Sequence, residues 1–213
     1  MATKTIVIEQ IYNDIRNKIL TNEFAPGSKL SENSLSNDYN CSRTPVREAI
    51  KRLEQDGFVM VLPHSGSYVK EMTIAEYQYL AEIRSYLESL AFRLNCEKKT
   101  DIQPFADILD KMDECDMVND VLTFSNLHFQ FHLAMVEASG NETLYTTFRR
   151  LNLNSNSLLF YQQLTEKGKL STQEEHRKIL SFLADQDMVK GERFMFAHLW
   201  RKRNKFKKHR DSE

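Results

Sequence analysis

One stretch limits the fold of this chain more than any other: residues 42–57, which read S-R-T-P-V-R-E-A-I-K-R-L-E-Q-D-G. Ser42 or Thr44 can cap the first helical amides, and Pro45 suits a first turn. Gly57 suits the left-handed residue that follows a helix. Apolar residues recur every three or four positions between these ends. The stretch therefore predicts one short amphipathic helix.

Two arginines at the N-terminal end of this helix break a local rule. Arg43 and Arg47 lie one turn apart, where the helix dipole and the free amides disfavour positive charge. Such breaks are expected at functional sites, and the N-terminal end of a recognition helix is the part that enters the DNA major groove. The alternative is an accidental amphipathic helix with two solvated arginines, and the flanking sequence argues against it.

The flanking segments supply the other parts of a winged helix-turn-helix. A short helix with a serine cap and a tight turn precede the stretch, and two β-rich segments joined by a turn follow it. An earlier helix carries isoleucine at helical spacing, and a Pro-Gly turn follows that helix. In chain order, these segments are helix 6–20, turn 22–30, helix 31–39, turn 40–41, strand 58–62, turn 63–66 and strand 67–69.

Beyond the wing, the pattern changes to helices alone. After a linker at residues 71–72, the segment T-I-A-E at 73–76 is a capping box that opens a long helix. Further helices are predicted from Thr100, over 121–139, from 142 to about 161, from a capping box at 171–174 after a break at 167–168, and after a turn at 184–187. The predicted fold is mainly α: a winged helix-turn-helix over residues 1–70, then an all-α six-helix bundle over residues 73–210.

Composition restricts the function classes. A formal net charge of −1 in 213 residues excludes a general polyanion binder, so DNA binding has to come from locally placed arginines. The basic end at 201–210 either contacts phosphate or is a solvated helix terminus. The three cysteines form no close pair, and no apolar run approaches the roughly 20 residues of a membrane span. We therefore expect a soluble, cytoplasmic protein without a membrane partner.

At the N-terminal end the sequence resembles the GntR family of bacterial transcription regulators. The resemblance lies in Leu30-Ser31-Glu32, in residues 42–49, in residues 53–57 and in a glycine of the wing. It implies that Arg43 and Arg47 read bases while other residues hold phosphate; Asn33 stands where the family commonly has arginine. The predicted DNA-binding residues are Ser31, Asn33, Ser42, Arg43, Thr44, Pro45, Arg47, Ser65 and Gly66.

Four histidines mark the helical domain. His128 and His132 are four residues apart on one predicted helix, so both project from one face and can share a ligand. From spacing alone, such a pair is more often surface or core chemistry than a metal site. His176 and His198 lie on two later helices.

The segments 131–141 and 175–180, with Asp187 and His198, resemble the FCD effector domain of the FadR branch of GntR regulators, in its shorter, VanR-like subset. In many of those domains one Asp and three His bind a divalent metal. Carried over by position, the histidines are His132, His176 and His198, and His128 stands in place of the Asp. Four neutral imidazoles favour a transition metal, most of all zinc or nickel, over manganese or magnesium.

Arg84 lies in I-R-S-Y-L-E, which resembles a family segment whose arginine often faces the ligand cavity. The alternative is a surface arginine paired with Glu88 one turn on. A metal held by neutral ligands, together with an inward Arg84, would suit a small organic acid effector. Candidates for further polar lining are Tyr86, Asn152, Asn154, Ser155 and Asn156, whose orientation cannot be read from the sequence.

Two functions of different class account for these features. The first is a ligand-responsive regulator that binds a palindromic operator as a homodimer and is not an enzyme. The second is a metal-dependent enzyme, or a structural metal-binding bundle, with the winged helix as an interaction module. The enzyme lacks a motif such as H-E-x-x-H to supply a general base, and nothing in their spacing places Glu137, Glu174 or Glu175 in that role.

Overall fold

The computed structural model describes residues 2–71, 73–151 and 164–202, and the chain divides into two compact units, Met1–Glu71 and Met72–Glu213. The first unit is a winged helix-turn-helix, as predicted. In chain order its elements are α1 (Ala2–Leu20), β1 (Lys29–Leu30), α2 (Glu32–Asp38), α3 (Arg43–Gln55), β2 (Val59–Leu62) and β3 (Gly66–Val69).

Helix α1 packs on α3 and forms the core of the first unit. Ile11 and Ile15 of α1 are buried, as are Val46, Ile50 and Leu53 of α3. These residues recur at helical spacing in both helices, so each helix turns one apolar face towards the other. The packing fixes α3 while its polar N-terminal turn stays exposed.

The sheet is antiparallel, with strand order β1-β3-β2. Strands β2 and β3 form the predicted wing, with Val59 opposite Val69 and Leu62 opposite Gly66. The prediction of a turn over 22–30 was wrong at its end, because Leu30 pairs with Ser67 as a third strand. A two-residue strand is too short to show the period-two alternation that identifies strands in a sequence.

The ends of α3 follow the sequence signals in part. Ser42 occupies the N-cap position with extended backbone, yet its side chain makes no capping hydrogen bond. Gly57 follows the C-terminal Asp56 with a φ of +74°, the left-handed conformation predicted for it. Ser31 does cap α2, since its Oγ accepts a hydrogen bond from the Ser34 amide at 3.3 Å.

The second unit contains helices and no strand among its described residues. In chain order its elements are α4 (Ile74–Lys98), α5 (Gln103–Glu114), α6 (Val121–Ala138), α7 (Glu142–Arg150), α8 (Glu166–Ala184) and α9 (Met188–Lys202). Among the described helices none is long and apolar enough to cross a membrane.

Two predicted helix starts need correction, and one predicted helix end, at about residue 161, lies outside the described residues. Helix α8 runs through both the predicted break at 167–168 and the predicted capping box at 171–174. The reason is an earlier cap: the Oγ1 of Thr165 accepts a hydrogen bond from the Gly168 amide at 3.2 Å, so the helix begins before either signal. Helix α5 begins at Gln103 rather than Thr100, and α7 is helical to Arg150, with residues 152–163 outside the described part of the chain.

The bundle core brings α4, α6, α8 and α9 around one centre. Buried aromatic and aliphatic side chains such as Phe92, Phe131 and Leu183 form its main cluster. Gly191 permits close packing of α9 on α4, because a Cβ there would lie 2.1 Å from Cζ of Phe92. The histidines of α6, α8 and α9 point into this apolar centre.

Candidate functional site

The exposed N-terminal end of α3 holds most of the predicted DNA-binding residues. Ser42, Arg43 and Thr44 are exposed there, and Arg47 follows one turn later. The Nε and Nη2 of Arg47 donate to the two oxygens of Glu32 at 3.0 and 2.7 Å, which ties α3 to α2. The hydrogen bond from Arg47 lowers the pKa of the Glu32 carboxyl. Arg43 therefore presents its guanidinium to solvent, while that of Arg47 is oriented by a carboxylate.

Most of the remaining predicted DNA-binding residues are exposed, and one is buried. Ser31 and Asn33 are exposed at the start of α2, and Ser65 is exposed at the wing turn, where its Oγ lies 2.9 Å from the Tyr68 hydroxyl. Gly66 follows it with a φ of +118°. Pro45 is different, because it is buried in the first turn of α3. As a buried residue it shapes the first turn of the helix, and its contact with DNA stays a prediction.

The four predicted histidines come together in the bundle. His128 and His132 project from α6, His176 from α8 and His198 from α9, and all four are buried. One ligand nitrogen from each lies within 4.8 Å of all the others. Nε2 of His128 and Nε2 of His132 lie 3.0 Å apart. Phe131 lies beside the rings of His132 and His176, at centroid distances of 5.5 and 4.9 Å, so the surroundings are apolar.

Two carboxylates orient two of these rings from outside the cluster. An oxygen of Glu88 contacts Nδ1 of His132, and an oxygen of Glu175 lies 2.5 Å from Nδ1 of His198. Each carboxylate contacts Nδ1 of its ring, and Nε2 of the same ring faces away from that carboxylate. Carboxylates in this position fix the tautomer and orientation of metal-binding histidines.

Each of these carboxylates also binds an arginine. Arg84 donates to Glu88 at 2.7 Å, and Arg201 donates to Glu175 at 2.9 Å. Burial by itself raises the pKa of the Glu88 carboxyl, but Arg84 and His132 outweigh it and hold that pKa well below its ordinary value. Glu88 is therefore an ionised carboxylate in a buried site, between an arginine and a histidine.

Arg84 matches neither of its two alternatives completely. The pairing with Glu88 is present, but Arg84 is only 9% exposed, so it is not a surface residue. Its Nη2 has no hydrogen-bond partner among the described residues, and its guanidinium lies 6.0 Å from the Phe148 ring. Tyr86 is 64% exposed and does not line the interior as expected. The other expected lining residues, at 152 and 154–156, lie outside the described part of the chain.

Sequence analysis did not place Glu88 and Glu175 beside the histidines. Glu88 had a signal, since it lies four residues after Arg84 and falls on the buried side of α4. Glu175 precedes His176 directly in sequence yet contacts His198, which spacing could not show. Glu137 and Glu174 are exposed, so neither stands beside the histidines as a general base.

Comparison with known proteins agrees with both halves of this arrangement. The family model described as bacterial regulatory proteins, gntR family, matches residues 7–69, and the FCD domain model matches residues 79–201, more than half of the chain. The Nta operon transcriptional regulator of Aminobacter aminovorans is 31% identical over 178 residues, with 83% of each chain covered. The chain belongs to the GntR family. The prediction of that family and of its FadR branch, VanR-like subset, is confirmed.

Other GntR regulators extend the comparison. The HTH-type transcriptional regulator LutR of Bacillus subtilis is 30% identical over 207 residues, covering 85% of this chain and 92% of that protein. A GntR transcriptional regulator from Rhodococcus sp. RHA1 has the same fold, with a TM-score of 0.79 at 20% identity and 99% and 100% of the two chains covered. E. coli McbR/YncC has a TM-score of 0.72 at 23% identity, over 92% and 94%.

The family membership fixes the general function. This GntR protein is a DNA-binding transcription regulator with an FCD domain, and its family and relatives are regulators rather than enzymes. The gntR match covers the winged helix-turn-helix, and the FCD match covers all four clustered histidines.

Proposed function

We propose that this GntR regulator is a cytoplasmic homodimer that binds a palindromic operator and changes its DNA affinity when a small organic acid binds beside a metal in the bundle. The observation that carries the proposal is the convergence of four buried histidines, each offering a ligand nitrogen within 4.8 Å of the rest. Gathering four imidazoles in an apolar centre is costly, and a shared metal ion would offset that cost.

The donor set fits a borderline transition metal. Four imidazole nitrogens suit zinc, nickel or copper, whereas manganese and magnesium prefer oxygen. His128, His132, His176 and His198 would hold the ion, and Glu88 and Glu175 would keep two of the rings oriented. A bound metal would supply positive charge in an apolar site, where an anion is its natural partner.

Arg84 supports an acid as that anion. Its side chain is nine-tenths buried, and its buried Nη2 has no acceptor among the described residues. A carboxylate is the acceptor that a guanidinium matches best. Arg84 would therefore bind and orient the acid, while Glu88 keeps the guanidinium in place through Nε.

The exposed N-terminal end of α3 supports DNA binding by this unit. Arg43 would read bases, and Arg47 would read them in an orientation set by Glu32. Ser42, Thr44, Ser65 and Gly66 would contact phosphate, with Ser31 and Asn33 beside them. One short helix reads too few bases for specificity, so two copies on a palindrome are the natural assembly.

A structural metal site is the second candidate, and one observation favours it. All four histidines are buried, and four protein ligands without an open position are typical of structural zinc. In that case the metal would stabilise the bundle and take no acid. The two functions agree on metal binding and differ on whether an acid binds to it.

Metal analysis and DNA selection together test the proposal. We would purify the protein in buffer containing zinc and nickel, measure bound metal, and select duplexes from a random pool. We expect about one ion per chain in the wild type and in His64→Ala, whose histidine lies in the wing turn, and loss of metal in His132→Ala. Metal-free wild type, or selected sites without two-fold symmetry, would contradict the proposal.

A further inference from the structure

Helix α4 carries a stripe of exposed apolar side chains. Tyr79, Ile83, Tyr86 and Leu90 are 62%, 46%, 64% and 40% exposed. Isolated exposed apolar residues are ordinary, but four of them along one side of one helix form a contiguous patch. The buried side of the same helix is occupied by the core and by Glu88.

The spacing of the stripe is that of a helix-packing seam. The four residues follow each other at intervals of four, three and four, and exposed Glu76 and Arg93 continue the series by three at either end. Steps that alternate between three and four average 3.5 residues, the repeat that keeps one helix in contact with another along its length. The seam therefore extends over residues 76–93, with apolar residues in the middle and one charge at each end.

We propose that this seam packs antiparallel against the same seam of a second copy of the chain. The proposal rests on the homodimer of the proposed function and names its contact. With the two-fold axis between residues 84 and 85, Ile83 faces Tyr86 of the partner subunit and Tyr79 faces Leu90 of the partner subunit. The patch is thus self-complementary, as a two-fold interface requires.

The end charges select the antiparallel orientation. In that register Glu76 faces Arg93 of the partner subunit, so opposite charges meet at both ends of the seam. A parallel pair would place Arg93 against Arg93 of the partner subunit, and like charges across an interface are unfavourable. Within the chain Arg93 binds Glu192 and Glu76 closes the cap of α4, and both side chains remain exposed enough to meet a partner.

Aromatic residues of α9 extend the patch beyond a single helix. The Tyr86 ring contacts the Phe196 ring at 5.0 Å, and Phe196 stacks on Trp200 at 5.2 Å. Phe196 and Trp200 are half-buried. A stable interface buries about 800 Å² on each partner, more than four side chains supply, so this continuation onto α9 brings the face towards the required size.

The seam and the histidine cluster lie on opposite sides of one helix. Arg84 and Glu88 project into the bundle from α4, whereas Ile83 and Tyr86 project outward from it. Since a helix is about 10 Å across with its side chains, a shift of α4 at Glu88 is delivered directly to the subunit contact. The interface is therefore placed where a ligand in the bundle could alter the arrangement of the two subunits.

Cysteine cross-linking tests the register. In a Cys41→Ser, Cys115→Ser background, whose remaining Cys96 is buried, we would compare Ile83→Cys with Tyr79→Cys using a bismaleimide about one helix diameter long. Antiparallel pairing separates the two copies of residue 83 by about 4.5 Å along the axis, and those of residue 79 by about 16 Å. We expect cross-linked dimer from Ile83→Cys and little from Tyr79→Cys. Equal yields would contradict the antiparallel register.

Sedimentation of two matched variants tests the interface itself. Ile83 and Leu170 have the same exposed fraction, 46%, but Leu170 lies on α8 outside the seam. Ile83→Glu should raise the dimer dissociation constant at least about tenfold, because each subunit would bury a carboxylate against apolar side chains, and Leu170→Glu should leave it unchanged. A dimeric wild type with no effect of Ile83→Glu would overturn the seam and keep the homodimer, whereas a monomeric wild type would overturn both.

Discussion

The recognition helix and the histidine cluster use the same chemistry, arginine beside carboxylate, in opposite surroundings. On the surface, Arg47 and Glu32 form a two-point contact in which the arginine side chain is 64% exposed. In the bundle, the Arg84–Glu88 pair is 10% and 1% exposed. Water competes for the first pair and not for the second. The surface pair can therefore be lost at little cost in stability, whereas the buried pair must stay intact for the fold.

The two regions also differ in how much of each can be predicted from the sequence. The α3 surface is formed by one contiguous segment of sequence. Its capping residues, its apolar stripe and the arginines at its N-terminal end can therefore be recognised together. The histidine cluster is assembled from α6, α8 and α9, which tertiary packing alone brings together. Only the pair His128 and His132 was local enough to be noticed from its spacing.

Loss of Glu88 should show the largest difference between the buried pair and the surface pair. Replacing Glu88 by alanine leaves Arg84 buried without its carboxylate, and we expect the free energy of unfolding to fall by about 3–5 kcal/mol. Glu32→Ala removes the partly exposed carboxylate of the surface pair and should cost less than about 1 kcal/mol. Denaturant unfolding of both variants, free of metal, measures the difference. Equal losses would show that burial does not distinguish the two pairs.

A bound metal should stabilise the bundle and leave the winged helix-turn-helix unchanged. Zinc at one hundred times its dissociation constant should add about 2.7 kcal/mol to the stability of wild type, a rise of roughly 5–10 °C in the unfolding midpoint. His132→Ala should show no such rise, because a ligand and the contact with Glu88 are both lost. Calorimetry with and without zinc measures it; an equal rise in the variant would place the metal elsewhere.

An Arg43→Ala variant tests base contact by the exposed end of α3. The replacement should cost about 1–3 kcal/mol on the selected operator and little on random DNA, as expected of a base contact. Fluorescence anisotropy with both duplexes measures the two losses. If they are equal, Arg43 contacts only phosphate.

Asn33 should give the smallest effect. It is exposed at the start of α2 at a position where the family commonly has arginine. Asn33→Arg should favour a different base at one position of each half-site, with a change near the lower end of about 1–3 kcal/mol. Repeating the duplex selection with the variant would show the altered base, and an unchanged selected site would rule out a contact at this residue.

Much of the fold was predictable because its signals are local. The wing, the left-handed Gly57 and the capping box at Thr73 are confirmed. Strand β1 was not predictable, because two residues are too few to show a periodicity. The start of α8 was missed because the later segment 171–174 has the sequence of a capping box but lies inside the helix. At the site, spacing identified one histidine pair and resemblance supplied the other two. The partners Glu88 and Glu175 depend on which helices pack together.

The central claim is that an acid held in the buried site changes the affinity of the exposed one. The most direct test titrates a panel of organic acids into zinc-loaded wild type and His132→Ala, following binding by calorimetry and operator affinity by anisotropy. We predict that at least one acid binds wild type only and shifts its operator dissociation constant by about 5- to 150-fold. An acid that binds both proteins equally, or one that binds wild type and leaves operator affinity unchanged, would contradict the claim.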